Sequence, residues 1–174
     1  MKKFIGLFLL IIITGCANKM KPTDFKGQKP RLVIENYLSG NVKAWGLLQN
    51  RSGKVTRQFS ADLNGTWDGK QLILDEKFNW SDGEVQTRKW KINKIDEHNY
   101  EGTAEDVVGK ARGYSYGPAF KFEYVLLVPV KGRKMKITFD DWIFMQDKRV
   151  AINRAKMTKF GIKVAELTVM FVKD

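Results

Sequence analysis

The sequence contains very little cysteine and histidine, and this scarcity excludes several kinds of chemistry. One Cys and one His in 174 residues rule out an intramolecular disulfide, a thiolate metal cluster and a site built from several histidines. The histidine, His98, stands in a polar turn, where a solvated side chain is the ordinary interpretation. No phosphate-binding Walker loop, dinucleotide glycine fingerprint or EF-hand loop is present either. We therefore expect neither a metal ion nor an organic cofactor.

The N-terminus predicts a lipoprotein signal peptide. Lys2 and Lys3 precede an apolar run over residues 4–13, which is short for a membrane span and typical of a signal-peptide core. The run ends in Ile13-Thr14-Gly15-Cys16, which resembles the bacterial lipobox, where small residues precede the cysteine that receives a diacylglycerol. We predict lipidation at Cys16. The alternative is an ordinary secretory signal, or a membrane anchor, with an incidental cysteine.

This interpretation divides the chain into three segments and places it in the bacterial envelope. Residues 1–15 are the predicted signal peptide, 16–30 a lipidated tether, and 31–174 a single domain. Ala17 follows Cys16, at a position where Asp commonly signals retention in the inner membrane. We therefore expect the protein in the inner leaflet of the outer membrane, facing the periplasm, with the acylated Cys16 contacting the membrane.

The chain is strongly basic, with 31 Lys and Arg against 19 Asp and Glu. The basic residues are spread along the chain rather than gathered in one block, and an envelope location argues against nucleic acid as a partner. Two interpretations of the charge stay open. It faces anionic lipid headgroups or lipopolysaccharide, or it is ordinary solubility charge.

From residue 31 the pattern predicts antiparallel strands. Turn signals such as Asp68-Gly69 and Asp82-Gly83 recur every ten to fifteen residues, and apolar and polar side chains alternate between them. No stretch carries a sustained helical stripe, although residues 31–38 suit a short helix closing one end. We predict an all-β, antiparallel up-and-down barrel of lipocalin-like (calycin) type with about nine or ten strands, a sandwich being the alternative.

Several predicted strand faces mix aromatic and charged residues. Trp90 shares its face with Arg88, Trp142 shares its face with Asp140, and Arg154 follows an apolar stretch. Burying such charges unpaired is costly, so the pattern favours a hollow interior, with charges placed at strand ends as the alternative. The predicted ligand-binding residues are Arg88, Trp90, Tyr114, Tyr116, Phe122, Tyr124, Asp140, Trp142 and Arg154.

The glycine-rich segment 101–118 carries Tyr114 and Tyr116. Glycines within strands mark bends, bulges or a close approach of the backbone. The segment is therefore interpreted as a barrel corner or, alternatively, as a rim where a ligand meets tyrosine hydroxyls.

Short motifs spread from about residue 30 to the C-terminus resemble an uncharacterised family of bacterial lipoproteins, a domain of unknown function. The motifs occupy residues 74–78, 82–84, 88–90, 100–109, 139–142, 153–155 and 159–161. The resemblance implies a lipobox-anchored, calycin-like domain, and it assigns no activity and no catalytic residue. The Gly-x-Trp motif of lipocalins is absent from the first strand, where the nearest tryptophan is Trp45.

Three functions follow from these observations. The leading hypothesis is a non-enzymatic envelope lipoprotein whose barrel binds or carries a lipid-like molecule, with Arg88 and Arg154 meeting an acid group on it. The second is a cofactor-free isomerase or lyase acting on a lipid-like substrate, with Asp140, Asp141, Tyr114 or Arg88 as acid–base candidates. The third is an assembly or scaffold lipoprotein that acts through its outer surface.

Overall fold

The computed structural model describes residues 19–130 and 132–174, and almost all of its regular structure is β-strand. A 3-10 turn (Pro22–Phe25) and a short helix α1 (Ile34–Tyr37) precede ten strands. The strands are β1 (Gly40–Asn50), β2 (Val55–Trp67), β3 (Gln71–Trp80), β4 (Val85–Lys94), β5 (Asn99–Thr103), β6 (Ala111–Tyr116), β7 (Ala119–Val130), β8 (Arg133–Met145), β9 (Val150–Lys159) and β10 (Ile162–Lys173).

Each strand pairs antiparallel with its neighbours in sequence, and β1 pairs with β10, so the sheet closes into a barrel. The predicted all-β, up-and-down, lipocalin-like architecture is confirmed, including the strand count and a short helix within residues 31–38. The proposed signal peptide and Cys16 lie outside the described residues. No helix in the described ranges is long and apolar enough to cross a bilayer.

Side chains alternate between the barrel interior and the outer surface along each strand, because successive residues of a strand point to opposite faces. On β2, Phe59, Ala61 and Leu63 are buried inside, whereas Ser60 and Asp62 are exposed outside. Closure leaves no free sheet edge at β1 or β10. The position of a residue along its strand therefore decides whether it can contact a ligand inside.

The segment around α1 closes one end of the barrel. Leu32 and Ile34 are almost completely buried, and the Leu32 N–H donates to the carbonyl oxygen of Gly117 in the β6–β7 turn at 2.8 Å. The segment also packs directly on β2 at Gly65, where a Cβ atom would lie 1.9 Å from the carbonyl oxygen of Leu38. Glycine is required there by this close approach of two backbones.

A buried ion pair fastens this end. The Lys94 ammonium and the Tyr100 hydroxyl both donate to the carboxylate of Glu35, the latter at 2.9 Å. Burial alone would raise the pKa of Glu35, but the hydrogen bonds from Lys94 and Tyr100 outweigh it and lower the pKa. The end that carries α1 is thereby sealed, and access to the interior is left to the opposite end and the wall.

The wall is thin between β4 and β7. β5 and β6 have 5 and 6 residues, and β4 pairs with β5 only over Lys91–Lys94. The β5–β6 loop, residues 104–110, fills the remaining gap because Val107 bridges to Leu126 and the Val108 N–H donates to the Val125 carbonyl at 2.8 Å. These backbone contacts hold the loop to β7 only, so a further contact is needed between the loop and β4.

Candidate functional site

The barrel encloses a cavity of about 450 Å³. This volume falls within the range of about 300–1,000 Å³ that is usual for small-molecule sites. Its wall is mainly apolar and rich in aromatic rings. The aromatic residues that line it are Phe59, Phe78, Trp80, Trp90, Phe120, Phe122, Tyr124, Phe139 and Phe171.

An ion pair in the cavity wall connects β4 to the β5–β6 loop. The Arg88 guanidinium donates to both carboxylate oxygens of Asp106, from Nε to Oδ1 at 3.1 Å and from Nη2 to Oδ2 at 2.8 Å. This bidentate geometry is the strong form of an arginine–carboxylate pair. Arg88 therefore closes the gap between β4 and the loop, and Asp106 occupies its hydrogen-bonding edge.

Glu76 on β3 faces the same cluster without comparable partners. Its Oε2 atom lies 3.8 Å from Nη1 of Arg88, which is within ion-pair range but too long for a hydrogen bond. Oε2 is buried and accepts no hydrogen bond from any described residue. A buried acceptor left in this way costs about 1–3 kcal/mol.

A second polar group lies across the cavity on β7, β8 and β9. The Tyr124 hydroxyl donates to Oδ2 of Asp141 at 3.0 Å, and the Asn153 amide donates to Oδ1 of Asp141. The same amide also donates to the Trp142 carbonyl oxygen at 3.1 Å. Asp141 is therefore satisfied on both oxygens, in contrast to Glu76.

The two buried carboxyl groups titrate close to neutral pH. Burial raises the pKa of Glu76 to about 7, with Arg88 and a hydrogen bond from Trp90 opposing the rise and Asp141 and Asp106 adding to it. Burial also raises the pKa of Asp141 to about 6, against the hydrogen bonds from Asn153 and Tyr124. These values lie well above the ordinary range for carboxyl groups.

At the open end, Arg57 marks the mouth of the cavity. Its Nη2 donates to Asp82 Oδ1 and to Glu84 Oε2, each at 2.7 Å, and its guanidinium carbon lies 4.0 Å from the ring centre of Trp80. The Nε atom of Arg57 is buried and donates to no described residue. Across the described ranges, Arg57 Nε and Glu76 Oε2 are the two buried side-chain polar atoms without a partner, and both residues line this cavity.

The cavity also communicates with the outside through the thin part of the wall. An open groove of about 910 Å³ runs across β1 to β4, and its lining includes exposed Lys43, Asp62 and Lys89. The groove and the cavity share Glu76, Arg88 and Asp106 as lining residues. The polar cluster is therefore reachable from this side as well as from the mouth.

Four of the residues predicted from the sequence face the cavity together. Arg88 and Trp90 are inward positions of β4, and Phe122 and Tyr124 are inward positions of β7. Their rings pack on one another, with the Trp90 centroid 5.1 Å from that of Phe122 and 5.3 Å from that of Tyr124. These contacts form the wall between the Arg88 pair and the sealed end.

The other five predicted residues do not line the cavity, so the expected composition of its wall is corrected. Tyr114, Tyr116, Asp140, Trp142 and Arg154 occupy outward strand positions, since the residues that alternate with them, such as Ser115 and Asn153, are buried inside.

Four of the five have a side-chain partner on the outer face. Trp142 packs against Phe25 with ring centres 6.0 Å apart and donates to Asp140 at 3.0 Å. The Arg154 side chain is 65% exposed and pairs with Glu166. Tyr116 stacks on His98 at 4.1 Å, and Tyr114 lies opposite Lys121 across the β6–β7 ladder.

The most informative residue, Glu76, was missed by the sequence analysis. The signal that could have identified it is the inward face of β3, where Glu76 interrupts the series Leu72, Leu74, Phe78 and Trp80. Asp106 had no comparable signal, because it lies on an irregular loop whose partner comes from another strand.

Within the ranges that the structure describes, no group of three or more His, Cys, Asp or Glu residues is arranged to hold a metal ion. The cluster of Glu76, Arg88, Asp106 and Asp141 is instead an arrangement of acids around one arginine. Chemically, it can accept hydrogen bonds, bind a cation or exchange a proton near neutral pH.

Comparison with known families and structures identifies the fold and leaves the activity open. The family described as "Protein of unknown function (DUF3833)" matches residues 10–173. No curated protein matches the sequence.

Solved structures that are similar to this chain include the following two. One is a protein of unknown function from the DUF3598 family of Nostoc punctiforme, with a TM-score of 0.62 and 15% identity, covering 84% of this chain and 51% of that chain. The chain therefore spans about half the length of that protein. The other is an S-type phycobiliprotein lyase from Guillardia theta, with a TM-score of 0.57 and 8% identity, covering 80% and 90% of the two chains. At these identities the likeness concerns the fold alone.

The raised pKa of Glu76 predicts a pH-dependent stability that Glu76→Gln removes in part. The folded-state value of about 7 exceeds the ordinary 4.5, so the stabilising contribution is complete below the ordinary pKa and is lost as pH rises through 7. We expect the unfolding free energy to fall between about pH 5 and 8, with Glu76 accounting for about 3 kcal/mol of the fall. Urea unfolding monitored by tryptophan fluorescence measures this change.

Asp75→Asn is the matched control, because Asp75 is adjacent on β3, points outward and has a side chain that is 54% exposed. We expect this variant to retain the pH dependence of the wild type. A Glu76→Gln variant whose unfolding free energy falls as steeply as that of the wild type would contradict the assigned environment of Glu76.

Proposed function

The chain belongs to the DUF3833 family, and we propose that its barrel binds a small, mainly apolar molecule that carries a polar group. The observation that carries the proposal is the coincidence of the cavity with both partnerless buried polar atoms, Glu76 Oε2 and Arg57 Nε. A folded protein rarely leaves such atoms unpaired unless another molecule satisfies them. The aromatic wall supplies an apolar surface for the rest of that molecule.

A lipid-like ligand suits this wall. The rings of Phe59 and Trp80 lie 4.9 Å apart near the mouth, and those of Trp90 and Phe122 lie deeper in the barrel. Aliphatic side chains, among them Leu48, Leu74 and Leu126, complete the apolar lining. This lining favours an apolar body over a sugar or nucleotide. Of the two structural neighbours, one is named as a phycobiliprotein lyase, and its barrel shares the fold of this chain.

We further propose that the barrel is attached to the bacterial envelope by acylation of Cys16. Cys16 lies three positions before Lys19, so an acyl chain would start within about 11 Å of Lys19. Lys19 pairs with Asp140 on the outer face of β8 at 3.8 Å. The anchor therefore leads to this side of the barrel, with the inner leaflet of the outer membrane as its proposed location.

An exposed apolar row on the same side supports membrane attachment. Trp45 of β1 lies opposite Met170 of β10, Met170 opposite Ile152 of β9, and Ile152 opposite Phe144 of β8. The first three side chains are exposed although they are large and apolar. Burying apolar side chains in a bilayer surface is favourable relative to leaving them in water. Neighbouring basic residues add to the binding because they attract anionic headgroups.

Proton transfer, as in a cofactor-free isomerase or lyase, is a second candidate function. The observation that favours it is the pKa of about 7 at Glu76, because a general base works best when its pKa is near the operating pH. Of the acid–base candidates taken from the sequence, Asp141 and Arg88 line the cavity, whereas Asp140 and Tyr114 lie outside it.

Filling the cavity should abolish binding of an apolar probe. We expect the full chain to bind N-phenyl-1-naphthylamine with saturable fluorescence enhancement, and Leu48→Trp to weaken that binding at least tenfold, because Leu48 lines the cavity. Leu47→Trp is the matched control, since Leu47 is the preceding residue and is exposed on the outer face. Equal affinity in both variants would mean that the probe binds outside the barrel.

Lipidation is tested by metabolic labelling. In bacteria supplied with an alkyne-bearing fatty acid, the full chain should incorporate the label and sediment with membranes, and Cys16→Ser should lose the label. Met20→Ser, four residues downstream, serves as the control and should remain labelled. Incorporation that is unaffected by Cys16→Ser would contradict the anchor.

A further inference from the structure

We propose that the polar group of the ligand is a hydrogen-bond donor, a protonated amine or a hydroxyl, and that Glu76 binds it. This inference rests on the proposed binding function of the barrel and specifies the class of molecule. It reverses the expectation that an acid group on the ligand meets Arg88 and Arg154. Most polar groups in the cavity already have partners within the chain, and the group without one sets the ligand class.

Both arginines in the cavity already hold carboxylates, and the donor atoms left are Nη1 of Arg88, 3.8 Å from Glu76, and the buried Nε of Arg57. Arg88 donates to both oxygens of Asp106, and the terminal nitrogen Nη2 of Arg57 donates to Asp82 and Glu84. Arg154 points away from the cavity and pairs with Glu166 on the outer face. A carboxylate bound at Nη1 of Arg88 would lie beside the like charge of Glu76, and one bound at Arg57 would lie beside Asp82 and Glu84.

The charges of the wall also oppose an anion. Two arginines line the cavity, against the four carboxyl groups of Glu76, Glu84, Asp106 and Asp141. The interior is thus acidic, although the whole chain carries a formal net charge of +12. The inner and outer electrostatics of the barrel therefore favour ligands of opposite sign.

Glu76 is the vacant acceptor of this set. Asp141 already accepts hydrogen bonds from Tyr124 and Asn153, whereas Oε2 of Glu76 accepts none from the part of the chain that the structure describes. Leu74 and Phe78, the next inward positions on β3, flank the carboxylate with apolar surface. A donor bound there would satisfy the carboxylate while the body of the ligand packs against these side chains.

The donor gains more from Glu76 than from a carboxylate on the outer surface. The Glu76 side chain is only 12% exposed, so an ammonium–carboxylate contact there is screened less than an exposed pair. A hydrogen bond to a charged group is also stronger than one between neutral groups. An amine should therefore bind more tightly than an alcohol of the same shape, and an acid should bind least tightly.

Three probes that share one ring system test the proposal: 2-naphthylmethylamine, 2-naphthalenemethanol and 2-naphthoic acid. Their affinities for the full chain are measured by isothermal titration calorimetry at pH 8, where Glu76 is largely ionised. We expect the amine to bind at least tenfold more tightly than the acid, with the alcohol between them. Non-specific attraction to the basic exterior would give the reverse order.

Two variants locate the preference. Glu76→Gln should weaken amine binding at least tenfold and leave alcohol binding within about threefold, because the amide removes the charge and keeps the shape. Asp75→Asn is the matched control, since Asp75 is the preceding residue on β3 but points outward, with a side chain that is 54% exposed. It should retain the order of the three probes.

The outcomes separate this inference from the binding function itself. Tighter binding of the acid, or an amine preference that survives Glu76→Gln, would overturn the inference while supporting a binding barrel. Absence of binding by all three probes and by N-phenyl-1-naphthylamine would overturn the binding function and this inference with it.

Discussion

Closure of the sheet is the constraint on which the rest of the structure depends. Once β1 pairs with β10, every strand residue faces either the interior or the outer surface, and no free edge remains to relax that assignment. The weak point of the ring lies between β4 and β7, where β5 and β6 are too short to complete the wall. The bidentate pair of Arg88 and Asp106 closes it. Arg88, the arginine that the sequence predicts most plainly as a ligand-binding residue, is thus paired with Asp106 for a structural reason.

This demand determines the character of the cavity. With Arg88 and Arg57 each held by carboxylates, the acceptor left among the described cavity residues is Oε2 of Glu76, and the buried donor left is Nε of Arg57 at the mouth. The inner and outer faces of the barrel wall consequently differ in charge and composition. The outside is basic and carries an apolar row at Trp45, Met170 and Ile152, whereas the inside is aromatic and acidic. Such a division suits the proposed function, in which the basic outer face contacts an anionic membrane and the acidic interior binds a molecule with a protonated amine or a hydroxyl.

Much of the fold could be predicted from the sequence, because period-two alternation and glycine turns are local signals. They were sufficient to predict the barrel, its strand count and the short segment that closes one end.

The cavity wall was predictable only in part. Trp90 and Phe122 lie in strands whose apolar face is plain, but the face that carries Trp142 and Asp140 turned outward because Phe25, from a distant part of the chain, covers it. A strand face that carries both aromatic and charged residues cannot be assigned from a single sequence. An outer face covered by another segment has the same pattern as a face that lines the interior. The pairing of Arg88 with Asp106 could not be foreseen, because it depends on where an irregular loop crosses the wall.

The most direct test of this account is a high-resolution crystal structure of the full chain with 2-naphthylmethylamine bound. The account predicts the naphthalene ring among Phe78, Trp90 and Phe122, with the amine nitrogen about 2.7–3.2 Å from Oε2 of Glu76 and the pair of Arg88 with Asp106 intact. A ligand on the outer surface, or a Glu76 side chain turned away from an amine that is bound inside, would contradict it.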